Sequence, residues 1–161
     1  MPPETQTSLS IRLGRLPDFD AVGGNAKFLN PGHKYGVYQR EKREWETALR
    51  AANAPQYDDG AFFNNPVELR ATLHFPTASK PDYENAIFAM KILVDLFQPF
   101  TAKLRQTKNG PREYSKGMLG WLANDRLIVW PWLVTAETRS PHAPCTEISL
   151  HAVGHEQRSL L

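Results

Sequence analysis

The chain has 161 residues, of which 41% are hydrophobic and 11% aromatic, and this composition is enough for the core of one domain of ordinary size. The longest apolar stretch, Leu127 to Val134, is far shorter than the roughly 20 residues of a membrane-spanning helix, so we expect no membrane segment. The single cysteine, Cys145, excludes an internal disulfide and argues against zinc or redox roles, and the absence of an apolar leader predicts a cytoplasmic protein.

The formal net charge of +2 is too small to indicate a nucleic-acid partner, but the basic residues are unevenly distributed. One basic segment runs from Lys27 through Lys34 to Arg40. A second contains a single acid, Glu113, and five basic residues: Lys103, Arg105, Lys108, Arg112 and Lys116. Such runs are commonly solvated loops, so the charge pattern alone leaves DNA contact as one of two explanations.

The first half of the chain predicts a strand, a long loop and a helix. Apolar and polar residues alternate from Ser8 to Leu13, which indicates a strand with one buried face. Arg15 to Gly36 has no period and many turn-forming residues, so we expect a long loop. Tyr38 to Ala52 has helical spacing, with Trp45 on the apolar side and Glu41 pointing outward.

The second half predicts a strand, a helix, an insertion and two further strands. The alternation over residues 67–75 is the cleanest in the sequence, and residues 83–98 carry one apolar helical stripe. Residues 98–120 are basic and aperiodic, so we interpret them as an insertion. Residues 126–135 have a strand-like composition, but Pro131 restricts them to an edge strand or breaks them; residues 146–152 alternate as a last strand.

This order of elements predicts the fold class. We expect a single α+β domain over residues 1–161, with one mixed sheet of about four strands and two main helices packed on it. His74 falls on the polar side of its strand, and the spacing of the five histidines suggests no ligand set, so we interpret them as solvated. The tryptophans Trp121, Trp130 and Trp132 fit core or interface packing better than base stacking.

The residues best suited to bind a metal or take part in catalysis surround the start of the second helix. Asp82 and Glu84 lie two residues apart between a buried strand and a helix, and paired carboxylates suit Mg²⁺ or Mn²⁺. Lys91 and Asp95 follow on the same face of that helix. A purely structural explanation stays open, in which Asp82 caps the helix, Glu84 faces its dipole, and Lys91 and Asp95 form a surface pair.

The same residues resemble the signature of the RusA family of Holliday-junction resolvases. The resemblance extends over nearly the whole chain and is carried by three motifs: Asp82-Tyr-Glu84-Asn85, Lys91 with Asp95, and Asn124-Asp125 before a strand. Glu84 stands where the family usually has Asp, Lys91 lies three residues further along than usual, and Asn124 replaces the first acid of an acidic pair.

The resemblance implies a metal-dependent endonuclease that hydrolyses phosphodiester bonds in branched DNA such as four-way junctions. Asp82, Glu84 and Asp125 would bind one or two Mg²⁺ ions, with Mn²⁺ as a substitute, and Lys91 would add positive charge at the phosphate. The family also implies a homodimer. From the charge pattern we expect DNA contacts at Lys27, Lys34, Lys103, Arg105, Lys108 and Lys116.

Two alternatives stay open. The first is a weakly active or inactive DNA-binding module of the same fold, suggested by Asn124 and the displaced Lys91. The second is a structural or interaction protein in which Glu84, Lys91 and Asp95 are only solvated surface.

Overall fold

The computed structural model describes residues 7–19 and 31–154. Within these ranges the chain forms six strands and two α-helices: β1 (Ser8–Leu13), α1 (Pro31–Ala51), β2 (Val67–His74), α2 (Tyr83–Asp95), β3 (Thr101–Thr107), β4 (Gly110–Lys116), β5 (Leu133–Glu137) and β6 (Cys145–Ala152). A short 3-10 helix, Asp125–Leu127, lies between β4 and β5.

Four strands form one mixed sheet in the order β1-β6-β2-β5. Strand β6 is antiparallel to both β1 and β2, whereas β5 runs parallel to β2. Together with the two helices, this sheet gives a single-domain α+β fold and confirms the predicted fold class.

The core lies between one face of the sheet and the two helices. Strand β2 buries Leu69 and Leu73 because alternate side chains of a strand point to the same face. Helix α1 contributes Trp45 to this core, and α2 contributes Met90 and Leu93, all fully buried. The opposite face of the sheet is polar, and its open surface is lined by Ser10, Arg12, Arg70, Thr72, Glu147, Ser149 and His151, among others.

Helix α1 begins earlier than the sequence predicted. It starts at Pro31, inside the segment predicted as a loop, and a proline at a helix start loses no hydrogen bond. The rest of that predicted loop includes residues 20–30, which lie outside the described residues. Glu41 was predicted to point outward but is fully buried, where its Oε1 accepts a hydrogen bond from Arg15 Nη2 at 2.8 Å.

Residues 98–120 were predicted as an aperiodic insertion, but they contain a β-hairpin of strands β3 and β4. The hairpin forms a separate two-stranded sheet, and its turn uses Gly110 at a φ of 102°. Nearly every hairpin side chain is exposed, so the sequence lacks the apolar alternation that identifies a half-buried strand.

The strand predicted over residues 126–135 is also divided. Its first part forms the 3-10 helix, and its end enters β5 after a cis Trp130-Pro131 peptide. Strand β5 lies at an edge of the sheet, as the presence of Pro131 indicated.

Candidate functional site

The two acids predicted at the start of α2 are exposed and occupy helix-starting positions. Asp82 is the N-cap, and its Oδ1 accepts a hydrogen bond from the backbone N–H of Asn85 at 2.9 Å. Glu84 lies in the first turn, where its negative charge interacts favourably with the helix dipole. These contacts match the structural explanation that the sequence left open.

Asp125 lies near the opposite end of α2. Its charge acts on Asp95, the last residue of that helix. The 13 residues of α2 rise about 20 Å at roughly 1.5 Å per residue. Within one chain, the structure therefore places Asp82 and Glu84 at the opposite end of α2 from Asp125, so these three carboxylates do not converge there.

Lys91 is exposed on α2. Its Nζ lies 5.0 Å from the centroid of the Phe88 ring, and its charge partly opposes the rise that burial causes in the pKa of Asp95. The two residues interact through charge, but Asp95 is half-buried and its hydrogen-bond partner is Tyr38, so the surface ion pair of Lys91 and Asp95 stays a prediction.

Asp95 is half-buried against helix α1. Its Oδ2 accepts a hydrogen bond from the hydroxyl of Tyr38 at 3.2 Å. Burial raises the pKa of Asp95, as does repulsion from Asp125, while the Tyr38 bond and the charges of Lys116 and Lys91 oppose this rise. Burial and the neighbouring carboxylate also raise the pKa of Tyr38 to about 12. Asp95 and Asp125 therefore form an acid pair whose negative charges are mutually unfavourable.

This acid pair lies in a groove of about 620 Å³ between helix α1, the end of α2 and the β3–β4 hairpin. We call it the hairpin groove. The residues that line it include Tyr38, Gln39, Lys42, Asp95, Gln98, Thr101, Lys103, Arg105, Tyr114, Ser115, Lys116, Ala123 and Asp125. Cationic and anionic side chains therefore share one concave surface.

The register of the hairpin gathers its positive charges on one face. Thr101 pairs with Lys116, Lys103 with Tyr114, and Arg105 with Arg112. Paired residues and their second neighbours along each strand share a face, so four cations lie on the same side: Lys103, Arg105, Arg112 and Lys116. The guanidinium of Arg105 lies 5.4 Å from the centroid of the Tyr114 ring. The other face has no basic residue and exposes Leu104.

Lys42 attaches the hairpin to helix α1. Although only 8% exposed, it donates from Nζ to the backbone oxygen of Ser115 at 2.9 Å and to Ser115 Oγ at 3.4 Å. The sequence did not indicate Lys42 as a functional residue. The available signal was its helical spacing from Trp45, three residues later, and from Tyr38, four residues earlier.

The other three residues predicted to contact DNA are not seen in the groove. Lys108 is exposed in the turn between β3 and β4. Lys27 lies outside the described residues; Lys34 belongs to α1, but its side chain is not described.

A second cluster lies at the end of the sheet, on the face opposite the helices. His74 was predicted to be solvated but is only 4% exposed, because it contacts side chains of β6 and of the segment after β5. Its Nε2 lies 3.0 Å from Glu147 Oε1, and its Nδ1 lies 3.1 Å from Ser140 Oγ. His74, Cys145 and Glu147 can hold a metal ion, since their ligand atoms all lie within 4.8 Å of one another.

Comparison with known proteins provides no family assignment: no family model matches the chain, and no curated protein matches it. Among the described residues, no helix combines the length and apolar character needed to cross a membrane.

Proposed function

We propose that the protein binds DNA in the hairpin groove and, with a divalent cation, cleaves the phosphodiester backbone. The resemblance to RusA resolvases favours four-way junctions as substrate and a homodimer as the active form. The carboxylates that fit this activity best are Asp95 and Asp125, in place of the set Asp82, Glu84 and Asp125 that the resemblance implied.

The observation that carries the proposal is that a row of cations and a carboxylate pair share one groove. Lys103, Arg105 and Lys116 line it, together with Asp95 and Asp125. Cations on an exposed strand pair suit the regularly spaced phosphates of a nucleic-acid backbone. Tyr114 lies among them and offers an aromatic face beside the chain of phosphates.

The carboxylate pair fits Mg²⁺ or Mn²⁺ by the chemistry of its donors. Both cations prefer hard oxygen ligands and bind through one or two carboxylates together with phosphate oxygens. Such a cation supplies Lewis acidity for water activation and neutralises charge on the phosphate. Asp95 and Asp125 would hold it, the hydroxyl of Tyr38 orients Asp95, and Lys116 places positive charge beside the same carboxylate.

The binding part of the proposal is tested by reversing charge on the hairpin. Lys103→Glu combined with Arg105→Glu should weaken binding of a labelled four-way junction by at least about 100-fold and reduce the salt dependence of log Kd by about two units. Fluorescence anisotropy at several salt concentrations measures both quantities.

The matched control is Lys80→Glu combined with Arg43→Glu, which makes the same charge change at exposed positions that do not line the groove. This control should bind within about threefold of the unmodified protein, because phosphate contacts at the groove stay intact. Equal losses in the two double variants would show that net charge, not the groove, determines binding.

A second candidate function is DNA binding without cleavage. It is favoured by the distance between Asp82 and Asp125, because the full acid set of the resembled family is not assembled in one place. Junction binding that is sensitive to the hairpin variants, with no Mg²⁺- or Mn²⁺-stimulated cutting, would establish this function in place of the nuclease.

A further inference from the structure

The cluster around His74 lies outside the groove and has no role in the proposed function. Strand register creates it, because His74 of β2 pairs directly with Cys145 of β6. Glu147 is two residues beyond Cys145 and so projects from the same face of the sheet. An imidazole, a thiol and a carboxylate therefore meet within 4.8 Å.

Two of the three residues are buried although the surrounding sheet face is polar and open, whereas the side chain of Glu147 is 40% exposed. His74 is 4% exposed and Cys145 is 5% exposed. The cover comes from residues 138–144: the backbone N–H of Ser140 donates to Phe75 O at 2.9 Å, and the ring of His142 lies 4.9 Å from that of His74. A segment without regular structure is thus held over a group of metal-ligating side chains.

We propose that His74, Cys145 and Glu147 form a zinc site. Nitrogen, sulfur and carboxylate ligands in one small site are the donors that Zn²⁺ uses. The 3.0 Å between His74 Nε2 and Glu147 Oε1 is close to the roughly 3.3 Å that separates two ligands at tetrahedral angles on zinc, given bonds of about 2.0 Å. The ring of His142 lies next to the cluster, 4.9 Å from the ring of His74, but His142 is not one of the three residues whose ligand atoms converge.

Further partners hold the ligands in place. Glu147 pairs with Arg12 across β1 and β6, and Glu137 Oε2 lies 3.2 Å from His74 Nδ1. Hydrogen bonds of this kind fix the orientation of ligating carboxylates and imidazoles. Zinc binding would connect β2, β6 and the covering segment 138–144, so the ion has a structural role in this fold.

The test uses the purified full-length chain with Zn²⁺ and with Co²⁺, which reports sulfur ligation through a thiolate charge-transfer band. We expect one equivalent of tightly bound metal and a cobalt spectrum with that band. Cys145 is the only cysteine, so Cys145→Ser should abolish the band. His74→Asn should weaken zinc binding by at least about 100-fold, because it removes a direct ligand.

The matched control is His151→Asn, on the same face of the sheet, where the ring bonds to Ser149 and is not part of the cluster. It should leave both zinc affinity and the cobalt band unchanged. The proposal is overturned if the unmodified protein binds no zinc, or if it binds cobalt without a sulfur band. Because that band is measured on the unmodified chain, the result does not depend on whether His74→Asn folds.

Discussion

At the residue scale, Asp95 combines burial and charge in a way that distinguishes it from the other acids considered. Its carboxylate is half-buried, accepts a hydrogen bond from Tyr38 and is repelled by Asp125. The net result is a raised pKa, so folding favours the protonated form relative to the unfolded chain. By contrast, Asp82 is exposed and caps a helix.

This difference predicts how stability depends on pH. Because the pKa of Asp95 is raised on folding, its favourable contribution is complete below the unfolded pKa and is lost as pH rises through the folded pKa. Asp95→Asn should therefore stabilise the protein at pH 7, by less than about 1 kcal/mol after solvent screening. The gain should shrink toward pH 3, and thermal unfolding at both pH values measures it.

Asp82→Ala is the control at the other end of α2. It removes an N-cap and should destabilise the protein by about 1 kcal/mol at pH 7, whereas Asp82→Asn should be nearly neutral because asparagine also caps helices. A stability loss for Asp95→Asn that is equal at pH 7 and pH 3 would contradict the electrostatic account of that residue.

At the element scale, the sequence predicted the elements that bury one face and missed those that do not. The alternation of β2 and the apolar stripe of α2 each arise from contact with the core, so both were predicted with close boundaries. The hairpin β3–β4 is exposed on both faces, and only its register reveals that its basic residues share a side.

The candidate sites show the same division. The sequence indicated the individual residues Asp95, Asp125, Lys103 and Arg105, but their meeting in one groove depends on how the hairpin packs against α1. The prediction that His74 is solvated was wrong because the segment that covers it, residues 138–144, is polar and shows no periodic pattern in the sequence. Tertiary packing of irregular segments therefore determines both sites, and local patterns do not encode it.

The attachment of the hairpin yields a prediction at the same scale. Lys42→Met removes the bonds to Ser115 while keeping an apolar stem in the buried position. We expect faster amide hydrogen exchange across β3 and β4 and a junction Kd raised by about 3- to 10-fold, since a charge-assisted hydrogen bond contributes roughly 1.5–3 kcal/mol.

Arg43→Met, one residue away on the exposed side of α1, is the matched control for the loss of one charge. It should leave hydrogen exchange in the hairpin unchanged. Unchanged exchange in Lys42→Met as well would mean that Lys42 does not hold the hairpin in position.

At the scale of the whole molecule, the net charge is only +2, but the charged residues are unevenly distributed over the surface. Four cations share one face of the hairpin, and the acid pair lies in the same groove. The polar face of the sheet carries the His74 cluster instead, so the candidate cation sites differ in place and in ligand chemistry: carboxylates in the groove, and nitrogen, sulfur and oxygen on the sheet. A hard cation such as Mg²⁺ would therefore prefer the groove, and a borderline cation such as Zn²⁺ would prefer the His74 cluster.

The cleavage rate of a four-way junction in Mg²⁺, compared among acid variants, tests the central claim most directly. Asp95→Asn and Asp125→Asn should each reduce the single-turnover rate by more than about 100-fold, which corresponds to roughly 2.7 kcal/mol of transition-state stabilisation. Asp82→Asn and Glu84→Gln should cut within about threefold of the unmodified protein. Loss of cleavage in Asp82→Asn and Glu84→Gln, with normal rates in Asp95→Asn and Asp125→Asn, would contradict the assignment of catalysis to the hairpin groove.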